Sequence, residues 1–151
     1  MSREQDLLEI VQLLMRVMLV SERTAPAHQH VVKFNMLDFQ LLGALREAPS
    51  LRATALAERL GIAPTTMSSV IARLRGRGLL AREKSKDDRR AFDISLTTDG
   101  RRVADAIAQQ DIANMRLFLS ALPEADQDRL LHLLGQVAQR VQSLEEGGST
   151  A

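Results

Sequence analysis

Between positions 65 and 69 stand four small hydroxyl side chains, Thr65, Thr66, Ser68 and Ser69, and two arginines, Arg73 and Arg75, follow at short range. Short hydroxyl side chains let a helix lie close to a duplex and exchange hydrogen bonds with base edges, while guanidinium groups neutralise phosphates. A second group of cations comes later in the chain, Lys84, Lys86, Arg89 and Arg90, with Asp87 and Asp88 set among them. Together these residues suit the binding of double-stranded DNA.

Catalysis has no comparable signal. The chain holds no G-x-S-x-G, P-loop or G-x-G-x-x-G, and its carboxylates stand at helix starts and in the basic hairpin, where structural roles account for them. There is no cysteine, which excludes disulfides, thiolate metal sites and thiol-based peroxide sensing. His28 and His30 are two apart, a spacing that shares a side on an extended segment but not on a helix. With only His132 besides and no carboxylate pair nearby, they read as loop histidines or as the lining of a small-molecule pocket. No enzyme, metal site or cofactor is expected.

The hydroxyls and arginines need a helix to present them. Met67, Val70, Ile71 and Leu74 recur at three- and four-residue spacing, which predicts a helix over Ala63–Arg77 with one buried stripe and the polar set opposite. Upstream, Ala53–Leu60 reads as a short amphipathic helix stopped at Gly61, and Pro64 suits the first position of the next helix. Ala63, at the N-cap, has no side-chain acceptor for the first N–H groups, which leaves them to water or to a phosphate. Helix, short turn and helix make a helix-turn-helix, a layout that structural helical hairpins share. Gly78 closes the second helix, and Leu79–Glu83 and Ala91–Leu96 read as two strands, the latter alternating Phe92, Ile94 and Leu96 with Asp93 and Ser95. The cations between them would form the tip of a wing.

Helices flank this module. Asp6–Val20 carries a broad apolar face that includes Leu7, Val11, Leu14 and Met18. Ser21–Lys33 reads as a loop or as a helix broken near Pro26, and Met36–Ala48 as a helix ended by Pro49. Thr97 is placed to cap a long helix over Thr98–Ser120. After Pro123, Leu130, Leu134, Val137, Val141 and Leu144 follow the 4-3-4-3 spacing of a helix-packing seam, and Glu145–Ala151 reads as a frayed tail. The expected fold is mainly α with a small β-hairpin, in the order α-α-α-α-β-β-α-α.

Composition narrows the partners. At 151 residues with 45% hydrophobic and 26% charged, the chain has the makings of one globular domain. Aromatic residues are only 3%, so stacking on splayed single-stranded bases is disfavoured. The net charge of +1 conceals a division: positions 64–102 hold 10 basic and 5 acidic residues, against 10 and 14 elsewhere. A basic middle with an acidic remainder suits a protein that sets one surface on DNA. No signal peptide is read, and no apolar run reaches 18 residues, so a cytoplasmic protein without a membrane partner is expected.

From Leu56 to Gly100 the chain resembles the winged helix-turn-helix core of the multiple-antibiotic-resistance regulator (MarR) family. The similar pieces are LAERLGI, the RGLL that leads into the first wing strand, Asp88-Arg89-Arg90, and Leu96-Thr97-Thr98-Asp99-Gly100 at the next helix. It departs where Ala63 and Pro64 replace polar residues and where Ser69 stands in place of a common arginine.

The resemblance implies a single domain over 1–151, with a winged lobe at 36–97 and a dimerisation region at 1–24 and 98–146. It implies a homodimer whose recognition helices read a pseudo-palindrome about one duplex turn apart, ~34 Å. It implies a transcriptional regulator, a repressor, with Pro64, Thr65, Thr66, Ser68, Ser69, Arg73, Arg75, Lys84, Lys86, Arg89 and Arg90 on DNA and Asp88 paired with Arg90 as a wing bridge. It also implies release by a small aromatic or anionic effector, in a crevice that would draw on Met15, Arg16, Met18, Leu19, His28, His30, Met36, Phe39 and Met115. The competing reading is a winged-helix protein-interaction module without sequence-specific DNA binding.

Overall fold

The computed structural model describes residues 2–24 and 34–148, the side chains of 18–24 and 146–148 excepted. Its elements in order are α1 (Arg3–Thr24), α2 (Met36–Glu47), β1 (Leu51–Arg52), α3 (Ala53–Leu60), α4 (Pro64–Gly76), β2 (Leu80–Lys84), β3 (Phe92–Leu96), α5 (Thr98–Leu119) and α6 (Glu124–Gly148). The fold is the expected mainly helical one with a small antiparallel sheet, and it adds one strand. The extra strand, β1, pairs with β3 through Leu51↔Ile94 and Arg52↔Asp93, so the sheet runs β1-β3-β2 with β3 in the centre. Two residues are too few to show a period, so this strand could be found only through its partner.

The core of the first unit, which runs to Ile112, is apolar and continuous. Leu41, Leu42, Leu45, Leu56, Leu74 and Ile94 are wholly enclosed, and each such side chain contributes about 1.5–3 kcal/mol by leaving water. The predicted stripe on α4 lies in this core, with Met67, Val70, Ile71 and Leu74 all buried. Phe34, Leu37, Leu51, Leu96, Val103 and Ile107 pack around the core.

Local chemistry sets the turns. Gly61 takes φ 64° at the end of α3, where its N–H donates to the Glu58 carbonyl and the Ile62 N–H to the Ala57 carbonyl. Gly78 repeats the arrangement after α4, with φ 76°, its N–H on the Arg75 carbonyl and the Leu79 N–H on the Leu74 carbonyl. A left-handed residue flanked by these two bonds is the Schellman ending, and glycine adopts it without steric penalty. At the start of α4, Ala63 makes no side-chain cap and Pro64 occupies the first turn.

The helix boundaries depart from expectation in two places. Helix α1 begins before Asp6 and runs past Val20 to Thr24. Ser2 and Gln5 form a reciprocal cap ahead of it, the Gln5 N–H donating to Ser2 Oγ (3.4 Å) and the Ser2 N–H to Gln5 Oε1 (2.9 Å). Residues 25–33, which hold Pro26, His28 and His30, lie outside the described part. Helix α6 includes Glu145 and continues to Gly148, so the stretch expected to fray from Glu145 is helical that far, and residues 149–151 lie outside the described part. Glutamates favour helix, and no proline interrupts the run. In the second unit, from Ala113, the α6 side chains Leu131, Leu133, Leu134, Val137, Val141 and Leu144 are exposed. Among the described residues no helix is long and apolar enough to cross a membrane.

Candidate nucleic-acid interface

Helix geometry sorts the exposed residues of α4. At 3.6 residues per turn, Thr65, Ser69, Ala72 and Gly76 fall opposite the buried stripe. Thr66 and Arg73 share one flank, and Ser68 and Arg75 share the other. All eight are exposed. The outermost line therefore bears only small side chains, which allows the helix axis to come near a groove floor. Ser69 Oγ donates to the Thr65 carbonyl within the helix at 3.1 Å, which leaves its lone pairs as acceptors.

Arg73 is engaged inside the protein. Its Nη1 and Nη2 donate to Oδ2 and Oδ1 of Asp38 at 2.7 and 2.6 Å, a bidentate pair across α4 and α2. The Asp38 side chain is fully buried, and that of Arg73 is 41% exposed. Hydrogen bonding to Asp38 raises the pKa of Arg73 above the usual arginine value, against an opposing effect of burial, so the guanidinium is held charged. Asp38 also completes the cap of α2, since Oδ2 accepts the Asn35 N–H at 2.8 Å and Asn35 Oδ1 accepts the Asp38 N–H at 3.0 Å. Just past the end of α4, the Arg77 guanidinium lies 4.0 Å over the Phe34 ring, and Phe34 meets Phe39 edge to face at 6.0 Å.

The wing is rooted on a buried hydroxyl. Ser85 Oγ accepts from Arg52 Nη2 at 3.1 Å and from the Asp87 N–H at 3.3 Å, and the Ser85 N–H donates to the Ala91 carbonyl at 3.0 Å. Lys84, Lys86, Arg89 and Arg90 are exposed around it. The Arg82 guanidinium covers the Phe92 ring at 4.1 Å, a diagonal contact between β2 and β3. Asp88 and Arg90 are joined, but through the backbone: Asp88 Oδ1 accepts the Arg90 N–H at 2.9 Å, and the ion pairs among the described residues do not include their side chains. An aspartate that closes a turn on the N–H two residues ahead is an Asx turn, which leaves the Arg90 side chain to point elsewhere. Arg89→Ala and Arg90→Ala should each weaken duplex binding several-fold while leaving stability within about 0.5 kcal/mol of wild type, as for other exposed sites. Melting curves set beside mobility shifts check this, and a large fall in melting temperature would put these arginines in the fold instead.

Residues expected around an effector differ in exposure. Met15, Arg16 and Met36 are exposed, Phe39 is half-buried against Phe34, and Met115 in the second unit is 37% exposed. The side chains of Met18 and Leu19, and all of His28 and His30, lie outside the described part. Among the described residues no group of three His, Cys, Asp or Glu side chains converges on a metal-sized site. Sequence reading passed over Asp38, Phe34, Arg77, Arg52 and Ser85. Only Asp38 had a local signal, the N-x-x-D spacing from Asn35 that marks a capping box.

Comparison with known proteins agrees with this fold. Residues 34–92 match the profile of the MarR family. The chain is similar to the HTH-type transcriptional repressor MdtR of Bacillus subtilis, 29% identical over 106 residues that cover 70% of this chain and 68% of that one. It is equally similar to the HTH-type transcriptional regulator PecS of Dickeya dadantii, 29% identical over 131 residues that cover 85% and 79%. The crystal structure of Streptococcus pneumoniae FabT in complex with DNA superposes with a TM-score of 0.80 at 16% identity, over 95% of this chain and 99% of that one, a likeness of fold. The family match runs through the whole helix-turn-helix into the wing, and the relatives, named as transcriptional regulators, align well beyond it; the chain is similar to the MarR family of winged-helix transcriptional regulators.

Proposed function

We propose that this protein is a cytoplasmic, sequence-specific transcriptional repressor that binds a pseudo-palindromic duplex as a homodimer. Residues 36–97 form the reading lobe, and 1–24 with 98–146 the dimerisation region. The observation that carries this reading is the exposed face of α4, where Thr65, Thr66, Ser68 and Ser69 stand clear of the core beside Arg75, with the wing cations following. Hydroxyls serve base edges and the cations serve phosphates. The dimer is supported by apolar side chains left in water on α1 (Leu7, Leu8, Ile10, Val11, Leu13, Leu14) and, separately, on α6 (Leu131, Leu133, Leu134, Val137, Val141, Leu144). Patches of that kind are uncommon on a monomer and mark an interface.

Release by a small aromatic or anionic ligand extends the reading. Met15 and Met36 would give an adaptable lining, and Arg16 would hold a carboxylate. A tenfold loosening of DNA needs about 1.4 kcal/mol of difference between ligand affinities for the two dimer states.

A mobility-shift assay with genomic fragments, the DNA upstream of the protein's own coding sequence among them, tests the core of the proposal, and light scattering gives the oligomeric state. One fragment should be retarded by a dimer in the presence of excess competitor. Thr66→Ala should weaken that complex about fivefold, the effect of one lost base-edge hydrogen bond. Retardation of no fragment above competitor would favour the protein-interaction module instead.

A further inference from the structure

Arg73 and Arg77 are four residues apart, one turn of helix, and the residues they meet, Asp38 and Phe34, are likewise four apart. One grips by a two-bond fork to a buried carboxylate, the other by a guanidinium lying on a ring. A single attachment fixes a distance and leaves a helix free to roll about its axis, whereas two attachments a turn apart fix the roll. We propose that Arg73 and Arg77 are positioning residues of the recognition helix and not phosphate contacts: they clamp it to Phe34 and Asp38, and so set the roll that turns Thr65, Ser69 and Ala72 toward the bases.

Three observations support this division. Lifting Arg73 onto a phosphate would strand the Asp38 carboxylate, fully buried, with the Asn35 N–H as the remaining donor. Asp38 is itself anchored as the third residue of α2, inside a reciprocal capping box, so the fork closes on a fixed point. Phe34 is steadied by its edge-to-face contact with Phe39. Arg75, on the opposite flank, and the wing residues Lys84, Lys86, Arg89 and Arg90 supply the phosphate charge. Specificity is sensitive to roll because base-edge hydrogen bonds need alignment, while attraction to phosphates does not.

The inference rests on the DNA-binding reading, and one set of measurements separates the two. Wild-type protein selects duplexes from a random pool, and affinity is then followed against salt for a selected duplex and for poly(dI-dC). Arg77→Gln and Phe34→Leu should each weaken the selected duplex roughly tenfold, as a mismatched base pair would. They should leave poly(dI-dC) binding within about twofold and the salt slope unchanged. Asp38→Asn should also lose discrimination. Were Arg73 a phosphate contact, removing the competing carboxylate would tighten binding to both probes, and that outcome overturns the clamp. So does an Arg77→Gln variant that weakens both probes alike with a salt slope shallower by about one, or a full set of variants that discriminate as wild type does. All variants are compared where their helical circular dichroism equals that of wild type. If Asp38→Asn does not fold, the Phe34→Leu and Arg77→Gln arm, which buries no unpaired charge, decides alone. If wild type enriches no duplex, the functional reading fails and takes the clamp with it; if wild type enriches one and only the variant pattern is wrong, the clamp alone fails.

Discussion

Truncating Arg73 to alanine is expected to destabilise the protein by about 3 kcal/mol or more, the usual consequence of removing one partner from a buried ion pair. The reason lies in Asp38, whose side chain has no contact with water and takes two of its hydrogen bonds from Arg73. Without the guanidinium, a carboxylate stays enclosed with the Asn35 N–H as its remaining donor, and that bond sits at the cap of α2. Arg73→Lys should fall between wild type and alanine, because an ammonium restores the charge but not the planar two-bond fork. Urea denaturation with an unchanged slope and a lower midpoint would report the effect as stability alone. A midpoint equal to that of wild type would mean that the carboxylate finds water or another donor, and that α2 and α4 hold together without the pair.

The second large effect is expected at Gly100. It is buried in the first turn of α5, and a Cβ there would land on the backbone carbonyl of Leu79. That carbonyl already accepts the Thr97 N–H at 3.1 Å. The Thr97 hydroxyl donates to the Gly78 carbonyl at 2.6 Å and accepts the Gly100 N–H at 3.0 Å. Gly100→Ala therefore pushes a methyl group into rigid backbone and strains three bonds at once. The expected cost is about 2–3 kcal/mol, in the range for forced overpacking, or a fall of roughly 5–10 °C in melting temperature for a chain of this size. DNA affinity should fall with it, because Gly78 and Leu79 make the closing bonds of the recognition helix. An alanine variant that melts with wild type would show that α5 can draw back from Leu79 freely.

How far the sequence could be read depended on the distance over which each cause acts. The α4 stripe, the two glycine caps, Pro64 and the Thr97 cap act within a turn or two of chain, and they appear in the fold where periodicity and capping rules put them. Strand β1 is made by β3, some forty residues away, and nothing in Leu51 and Arg52 alone announces it. Arg73 shows the same limit in function. Its spacing and charge suit a phosphate, and only the 35-residue separation from Asp38, closed by the fold, reveals a different attachment. The resemblance implied a wing bridge between Asp88 and Arg90, and the bond that joins them runs from the Arg90 backbone N–H, a choice between two donors of one residue that residue identity cannot make.

The division of labour around α4 bears on how such a protein can change. Its buried stripe holds the fold from one side and Arg73 from a flank, while Thr65, Thr66, Ser68 and Ala72 remain exposed. Surface substitutions away from structural attachments usually alter stability by no more than about 0.5 kcal/mol. Under the proposed function those four positions can be rewritten for a new target site almost independently of folding, and a library randomised there should return stable proteins with altered DNA preferences far more often than one randomised at Met67, Val70, Arg73 and Leu74.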